Sequence, residues 1–529
     1  MILDNAFLPS GAELFPELIG PGSPLIVICP EDSRRVRYDE TVHRVTDEKF
    51  IINITKQEDK NHVHVLCSGE KSAFYALSEI ARRLDEDGLV PGEFACSPRF
   101  AVRGFIEGFY GAPWSHENRL SVLSLMAAHR MNTVYYAPKD DLYHRELWRE
   151  LYPEDELRRL KSYAEAAASF HMSFVWCISP GLSIRYAAAE DFCSLMTKTR
   201  QLYDSGIRSF GLLLDDISGE LKDSEDRQRY GELVNAHIDL ICRYYQALED
   251  LTPGMKLTVC PTIYQGDGSE YYISRLCREI PPGISVFWTG RDICSRELTC
   301  REAMLFFEHT LRKPLYWDNY PVNDMAMSRE MHIGPLIGRE DELWRYSEGL
   351  IANAMEYAEC SKIPLITIAD YLWQGERYDP EKSWIRAVGK VVGKENTEAF
   401  LTFADHLRVS CLMDENSPHL KQLFTDVGRE YSAGRKDPAG KLAADYLARM
   451  QQAVRFLHKD VPICRELAPW ARKFEQLCGL LPAVFSEMES AKNQYSQTLR
   501  EMTENYASVP WRLAEESDLF EAADGGYSL

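Results

Sequence analysis

Two acids stand side by side in the stretch "FGLLLDDISGE" (210–220), where Asp215 and Asp216 follow four apolar residues and a glycine. Vicinal carboxylates repel when both are ionised, and an apolar run implies burial, where a carboxylate charge is costly. The residue types allow two readings. In one, a strand reaches the surface and the pair opens a solvated turn. In the other, the acids share a reaction and their surroundings drive their pKa values apart. Taken alone, the pair favours the turn.

The elements around it change that balance. From about Phe100 to Trp373 strand-like runs recur: "AVRGFIEGF", "TVYYAP", "SFVWCISP", "FGLLLDD", "KLTVCPTIY", "ISVFWTG", "PLYWDNY" and "EGLIANAM". Helical stretches such as "SVLSLMAAHR", "LRRLKSYAEAAASF" and "RYGELVNAHIDLICRYYQALE" separate most of them. Eight strand-then-helix units in about 250 residues have the size and rhythm of a (β/α)8 TIM barrel. A doubly wound sheet is the alternative, but no GxGxxG turn follows the first strand. Pro364, in the helix after the eighth strand, predicts a kink or a late start there.

The 529 residues exceed one ordinary domain. Residues 1–98 read as a small α/β unit, with strands "PLIVIC", "KFIINIT" and "HVHVLC" before the amphipathic "KSAFYALSEIARRLDE". His62 and His64 alternate along one of these strands without a third ligand nearby, the pattern of paired strand histidines. Residues 99–375 form the barrel, and 376–515 a helical region of three to five helices that either mediates a homodimer or shapes a cleft. Residues 516–529 are a polar tail. A net charge of −21 speaks against nucleic acid as the main ligand, because no basic excess exists to displace counterions. No apolar run approaches membrane-spanning length. Fourteen cysteines without a CxxC pair suit free thiols in a reducing setting. "MILDNAFLPSGAELF" has no basic n-region or apolar h-region, which predicts a cytoplasmic protein or one secreted with its leader already trimmed.

Barrel enzymes carry their chemistry at the carboxyl ends of the strands. Those ends hold Glu107 and Gly108, Lys139, Asp215 with Asp216, Tyr264, Thr289, Trp317 with Asn319, and Asn353, while Asp324 follows in the loop after the seventh strand. Each is ordinary alone, but their convergence on one rim tips the acid pair towards function. No glycine-rich phosphate loop, GxSxG elbow or metal-ligand spacing accompanies them. Carboxylates, hydroxyls, amides and aromatics are what lines a sugar pocket.

The stretches "RGFIEGFYGAPW" (103–114), "YAPKDDLYHRELWRE" (136–150), "ISPG" (178–181), "LLLDDI" (212–217), "CPTIY" (260–264), "FWTG" (287–290) and "WDNYPVND" (317–324) closely resemble glycoside hydrolase family 84. These are the O-GlcNAcase-like β-N-acetylglucosaminidases. The resemblance implies a retaining exo-hydrolase of terminal β-GlcNAc in which the substrate's own 2-acetamido oxygen attacks the anomeric carbon, giving an oxazoline. It implies that Asp215 orients the acetamide and that Asp216 is the general acid and base. It further implies Tyr264 near the acetamide oxygen, Trp317 as the floor of the acetyl pocket, and Asn319 close to the acetamide or leaving group. Lys139, Asp324, Asn353 and the Gly108 carbonyl are then the ligands of the sugar hydroxyls, and no metal or organic cofactor is implied. Adjacent residues on one strand suit this scheme better than a two-carboxylate retaining mechanism, which needs acids about 5–5.5 Å apart on different strands. Three readings stay open beside it: a covalent carboxylate such as Glu107, a hexosaminidase acting on mucin or hyaluronan-type glycans, and a catalytically silent sugar-binding barrel.

Overall fold

The computed structural model describes residues 9–18, 25–30, 47–57, 60–86, 88–415 and 417–490. The polar tail and the end of the last helical stretch expected from the sequence lie outside these residues.

A four-stranded sheet comes first. Its strands are β1 (Leu25–Pro30), β2 (Phe50–Gln57), β3 (Lys60–Cys67) and, after the helix α1 (Glu70–Glu86), β4 (Gly92–Cys96). They are ordered β1-β3-β2-β4, with β1 parallel to β3 and the other pairings antiparallel. Along β3 the buried Val63, Val65 and Cys67 alternate with the more exposed His62 and His64, the two-residue period of a half-buried strand. This unit is pinned to the base of the barrel. Arg103, almost fully buried, donates to the Glu48 carboxylate and to the Phe100 and Arg130 carbonyls, while Arg130 pairs with Glu79 of α1.

All eight expected barrel strands form: β5 (Val102–Glu107), β6 (Thr133–Tyr136), β7 (Ser173–Ile178), β8 (Ser209–Leu213), β9 (Lys256–Cys260), β10 (Ser285–Trp288), β11 (Leu315–Asp318) and β12 (Gly349–Asn353). They are parallel and close on themselves through the pairing of β12 with β5. Because both faces are covered, the strands are continuous apolar runs rather than alternating ones. Val175 and Cys177 of β7 belong to the barrel's inner core with Tyr135, Leu213, Phe287, Trp317 and Ile351, whereas Phe174, Trp176 and Ile178 pack outward. The outer ring comprises α2 (His116–Ala128), α3 (Glu154–Ser169), α4 (Ala189–Asp204), α5 (Ser224–Tyr230), α6 (Leu233–Leu251), α7 (Tyr271–Glu279), α8 (Cys300–Thr310) and α9 (Ala358–Gln374).

One expectation is corrected here and another narrowed. No α-helix follows β11: residues 319–348 contain only the short 3-10 turns Met325–Met327 and Leu343–Arg345. This long connection is held instead by Arg339, whose guanidinium grips both Asp318 oxygens at 2.8 and 2.6 Å, both side chains being buried. Pro364 causes no late start, since α9 begins at Ala358 and runs through it. Nearly every residue of α9 is buried, and that packing outweighs the roughly 3 kcal/mol an interior proline costs a helix.

Beyond Gly375 the described residues hold six α-helices, where three to five were expected: α10 (Pro380–Val392), α11 (Thr397–Ala404), α12 (Pro418–Ser432), α13 (Lys436–Leu457), α14 (Pro462–Glu466) and α15 (Ala468–Ser490). The eight-residue α11 and five-residue α14 are too short to show a helical apolar period. Among the described residues no helix is long and apolar enough to cross a membrane.

Candidate active site

The acid pair lies just past the last residue of β8. Asp215 is only 6% exposed, whereas the Asp216 side chain keeps 35% of its surface open at the barrel mouth. Side chains of successive strand residues diverge. Here Asp216 adopts φ 51°, in the left-handed region, which breaks that alternation. Both carboxyls therefore face one cation: the Lys139 ammonium stands 3.1 Å from Asp215 Oδ2 and 4.0 Å from Asp216 Oδ2.

The two acids then differ sharply. Asp215 Oδ1 is buried and has no partner, although a buried carboxylate oxygen normally accepts a hydrogen bond. Asp216 has partners on both oxygens. The Tyr110 hydroxyl donates to Oδ2 at 2.7 Å and the Tyr264 hydroxyl to Oδ1 at 3.0 Å. Burial, reinforced by the Asp216 carboxylate, pushes the Tyr264 phenol upward, so it stays a protonated donor. Burial also raises Tyr110, against the opposing pull of Lys139. For Lys139 burial works to lower the ammonium's pKa, but Asp215, Tyr110 and Asp216 outweigh it and hold the group above its usual value.

On the opposite side Trp317, 6% exposed, meets Phe287 edge-on at 5.1 Å. Its Nε1 donates to Asn319 Oδ1 at 2.9 Å, and Asn353 Nδ2 donates to the same oxygen at 3.0 Å. Asn319 Nδ2 in turn donates to the Ile293 carbonyl at 2.8 Å, and Asn353 Oδ1 is buried without a partner. Gly108 sits against this cluster: a Cβ there would come within 2.8 Å of the Trp317 ring and 3.2 Å of Asn353 Oδ1. Asp324 accepts from the Tyr110 backbone N–H at 2.8 Å, tying the loop after β11 to the loop after β5. Burial raises its carboxyl, with the Tyr110 bond acting the other way.

Two residues named from the sequence are spent elsewhere. The Thr289 hydroxyl donates to the Asp292 and Tyr264 carbonyls, bracing two loops. Glu107, the rival nucleophile, is 3% exposed and gripped by Arg119 at 2.7 and 2.8 Å, and its Oε1 also accepts from the Trp114 N–H. Two residues missed by sequence reasoning do belong to the site. Tyr110 touches Asp216, and Arg145 Nη1 lies 3.3 Å from the Tyr110 hydroxyl. Both occur inside the quoted stretches, but nothing local marks them as partners of residue 216.

The arrangement supplies a buried carboxylate paired to a lysine, an exposed carboxyl beside it, and an aromatic-and-amide wall. Residues 103–405 match the family model described as β-N-acetylglucosaminidase. The chain belongs to that family. It is glycoside hydrolase family 84, the one the sequence stretches resemble, and the matched span runs from β5 through all eight strands into the first helices beyond the barrel. Among solved relatives, a point mutant of the O-GlcNAc hydrolase of Thermobaculum terrenum is 35% identical with a TM-score of 0.69, covering 78% of this chain and 91% of its own. The family member CpGH84B is 26% identical with a TM-score of 0.73, covering 92% of this chain and 84% of its own. Protein O-GlcNAcase of Rattus norvegicus is 32% identical over 274 residues, and that of Mus musculus matches equally. The aligned part is 51% of this chain and 29% of those relatives, so this family member spans under a third of their length in common.

Proposed function

We propose that the protein is a retaining exo-β-N-acetylglucosaminidase of the O-GlcNAc hydrolase type, acting through an oxazoline formed by the substrate's own acetamide. The observation that carries this reading is the asymmetry of the acid pair. Asp215 is buried, charge-paired with Lys139, and keeps one oxygen free of any donor. A carboxylate so placed can accept the acetamide N–H and stabilise the positive charge that develops on the ring and acetamide. Asp216 stands at the open side, with Tyr110 and Tyr264 donating to its carboxylate form. Protonated, it needs an acceptor for its own O–H, which the glycosidic oxygen provides. After departure of the leaving group the carboxylate draws a proton from water, with the two tyrosines supporting the charge. The engagement of Glu107 by Arg119 and the Trp114 N–H argues against a covalent ester there. Trp317 offers its face to the acetyl group, while Asn353 and Asp324 offer acceptors to sugar hydroxyls. The O-GlcNAc hydrolase and protein O-GlcNAcase relatives favour GlcNAc on protein serine or threonine as the substrate.

Comparison of nitrophenyl β-GlcNAc with the matching glucoside tests this function. The expected outcome is release from the GlcNAc compound and negligible release from the glucoside, which lacks the attacking group. Comparable turnover of the two would count for a protein nucleophile, and no release from either for a silent barrel.

Gly108 provides a second check. Gly108→Ala pushes a methyl into Trp317 and Asn353, and a small misplacement of substrate-positioning groups is costly. We expect kcat/KM on nitrophenyl β-GlcNAc to fall about tenfold. Gly219→Ala, in the loop beyond the acid pair where a Cβ has nothing within 4 Å, should leave it unchanged.

A further inference from the structure

We propose that Cys294 and Cys411 form a redox-responsive thiol pair beside the sugar pocket, which a low-molecular-weight disulfide converts to a Cys294–Cys411 disulfide that slows hydrolysis. Its effect on turnover rests on the reading of Trp317 and Asn353, which Asn319 holds, as sugar-binding residues.

The two cysteines come from different regions, the loop after β10 and the segment between α11 and α12, yet their side chains are in contact. Both are free and only partly buried. Their loops are also joined by an ion pair between Arg296 and Asp414, so closing the disulfide joins segments already in contact. Asn319 lies between them. Its backbone carbonyl accepts from Cys411 Sγ at 3.7 Å, and its side-chain amide donates to the carbonyl of Ile293, the neighbour of Cys294. The Asn319 amide oxygen in turn accepts from Trp317 and Asn353. A disulfide removes the Cys411 S–H donor and draws the residue 293–294 backbone towards position 411. Asn319 therefore shifts, and Trp317 and Asn353 with it.

The pair is also chemically unequal. The contact with Cys411, ahead of opposing burial, holds the Cys294 thiol below its ordinary value, while the same contact and burial push Cys411 up. Cys294 is thus the thiol that more readily supplies the attacking thiolate. It displaces one thiolate from the reagent's S–S bond, forming a mixed disulfide. Cys411 then passes its proton to the released thiolate and attacks Sγ of Cys294, expelling the second half of the reagent. Two electrons and two protons move from the protein pair to the reagent, which leaves as two thiols. Cys177 and Cys260 lie nearer the acid pair in sequence position along the strand ends, but burial raises both thiols and keeps them protonated.

The test is titration of the whole protein with oxidised glutathione, followed by mass analysis of an unreduced digest and by kinetics on nitrophenyl β-GlcNAc. We expect a peptide cross-linked between residues 294 and 411, a fall in kcat/KM of about tenfold, and full recovery with dithiothreitol. Cys294→Ser and Cys411→Ser should each keep basal activity and lose the response, whereas Cys193→Ser, at an exposed thiol, should keep both. Absence of the cross-link while Cys193 is glutathionylated would overturn the proposal, as would a complete cross-link with unchanged kcat/KM. The two ideas separate cleanly: a protein inactive before oxidation contradicts the glycosidase reading, and an active one that ignores its cross-link contradicts the switch.

Discussion

Asp216→Ala should lose about 10²–10⁴-fold in kcat/KM on β-GlcNAc carried by a serine hydroxyl, the range general acid catalysis contributes. An alkoxide leaving group needs its proton delivered as the bond breaks, and Asp216 is the carboxyl at the open face of the pair. On a dinitrophenyl glycoside, whose leaving group departs as a stable anion, the loss should shrink to the part Asp216 plays in activating water. The expected signature is therefore a steep new dependence of rate on leaving-group pKa that the parent protein lacks. An equal loss on both substrates would remove Asp216 from the acid role.

Asp215→Asn should show the opposite pattern: a loss of about 10²–10³-fold that is the same for good and poor leaving groups. The change keeps the side chain's size but discards the charge that Lys139 balances at 3.1 Å. It also replaces one carboxylate oxygen with an N–H₂, so the acetamide can meet a donor where it needs an acceptor. Steady-state kinetics on a series of aryl glycosides distinguishes the two variants, one with a changed slope and the other with an unchanged slope and a lower line. A shallow loss confined to poor leaving groups would exchange the two assignments.

The contrast in how the parts of this molecule could be read follows from the range of the interactions involved. All eight barrel strands were legible because a strand covered on both faces is a dense apolar run, and each such run is local. Their ends were overdrawn by a few residues: "FGLLLDD" ends as a strand at Leu213, and the two acids lie in the turn beyond it. The positive φ of Asp216 was not legible, because Asp is not a residue whose presence demands one. The helix expected after β11 failed for a related reason. Its place is taken by a chain braced on the Arg339–Asp318 pair, a contact spanning 21 positions. Positions on the rim could be named from strand ends, but their bonding could not. Tyr110 meets Asp216 across 106 positions, and the Thr289 hydroxyl is consumed by two backbone carbonyls. The pairing of Asn319 with Trp317 and Asn353 was equally illegible, since nothing local predicts that one amide oxygen serves both.

Participation of the substrate's own acetamide is the claim on which these roles depend, and it can be measured directly. In a series of nitrophenyl β-glucosaminides bearing acetyl, fluoroacetyl, difluoroacetyl and trifluoroacetyl groups, each fluorine weakens the carbonyl oxygen as a nucleophile. With the acetamide as nucleophile, kcat/KM falls steeply with each added fluorine. A rate indifferent to fluorination would place the nucleophile on the protein and contradict it.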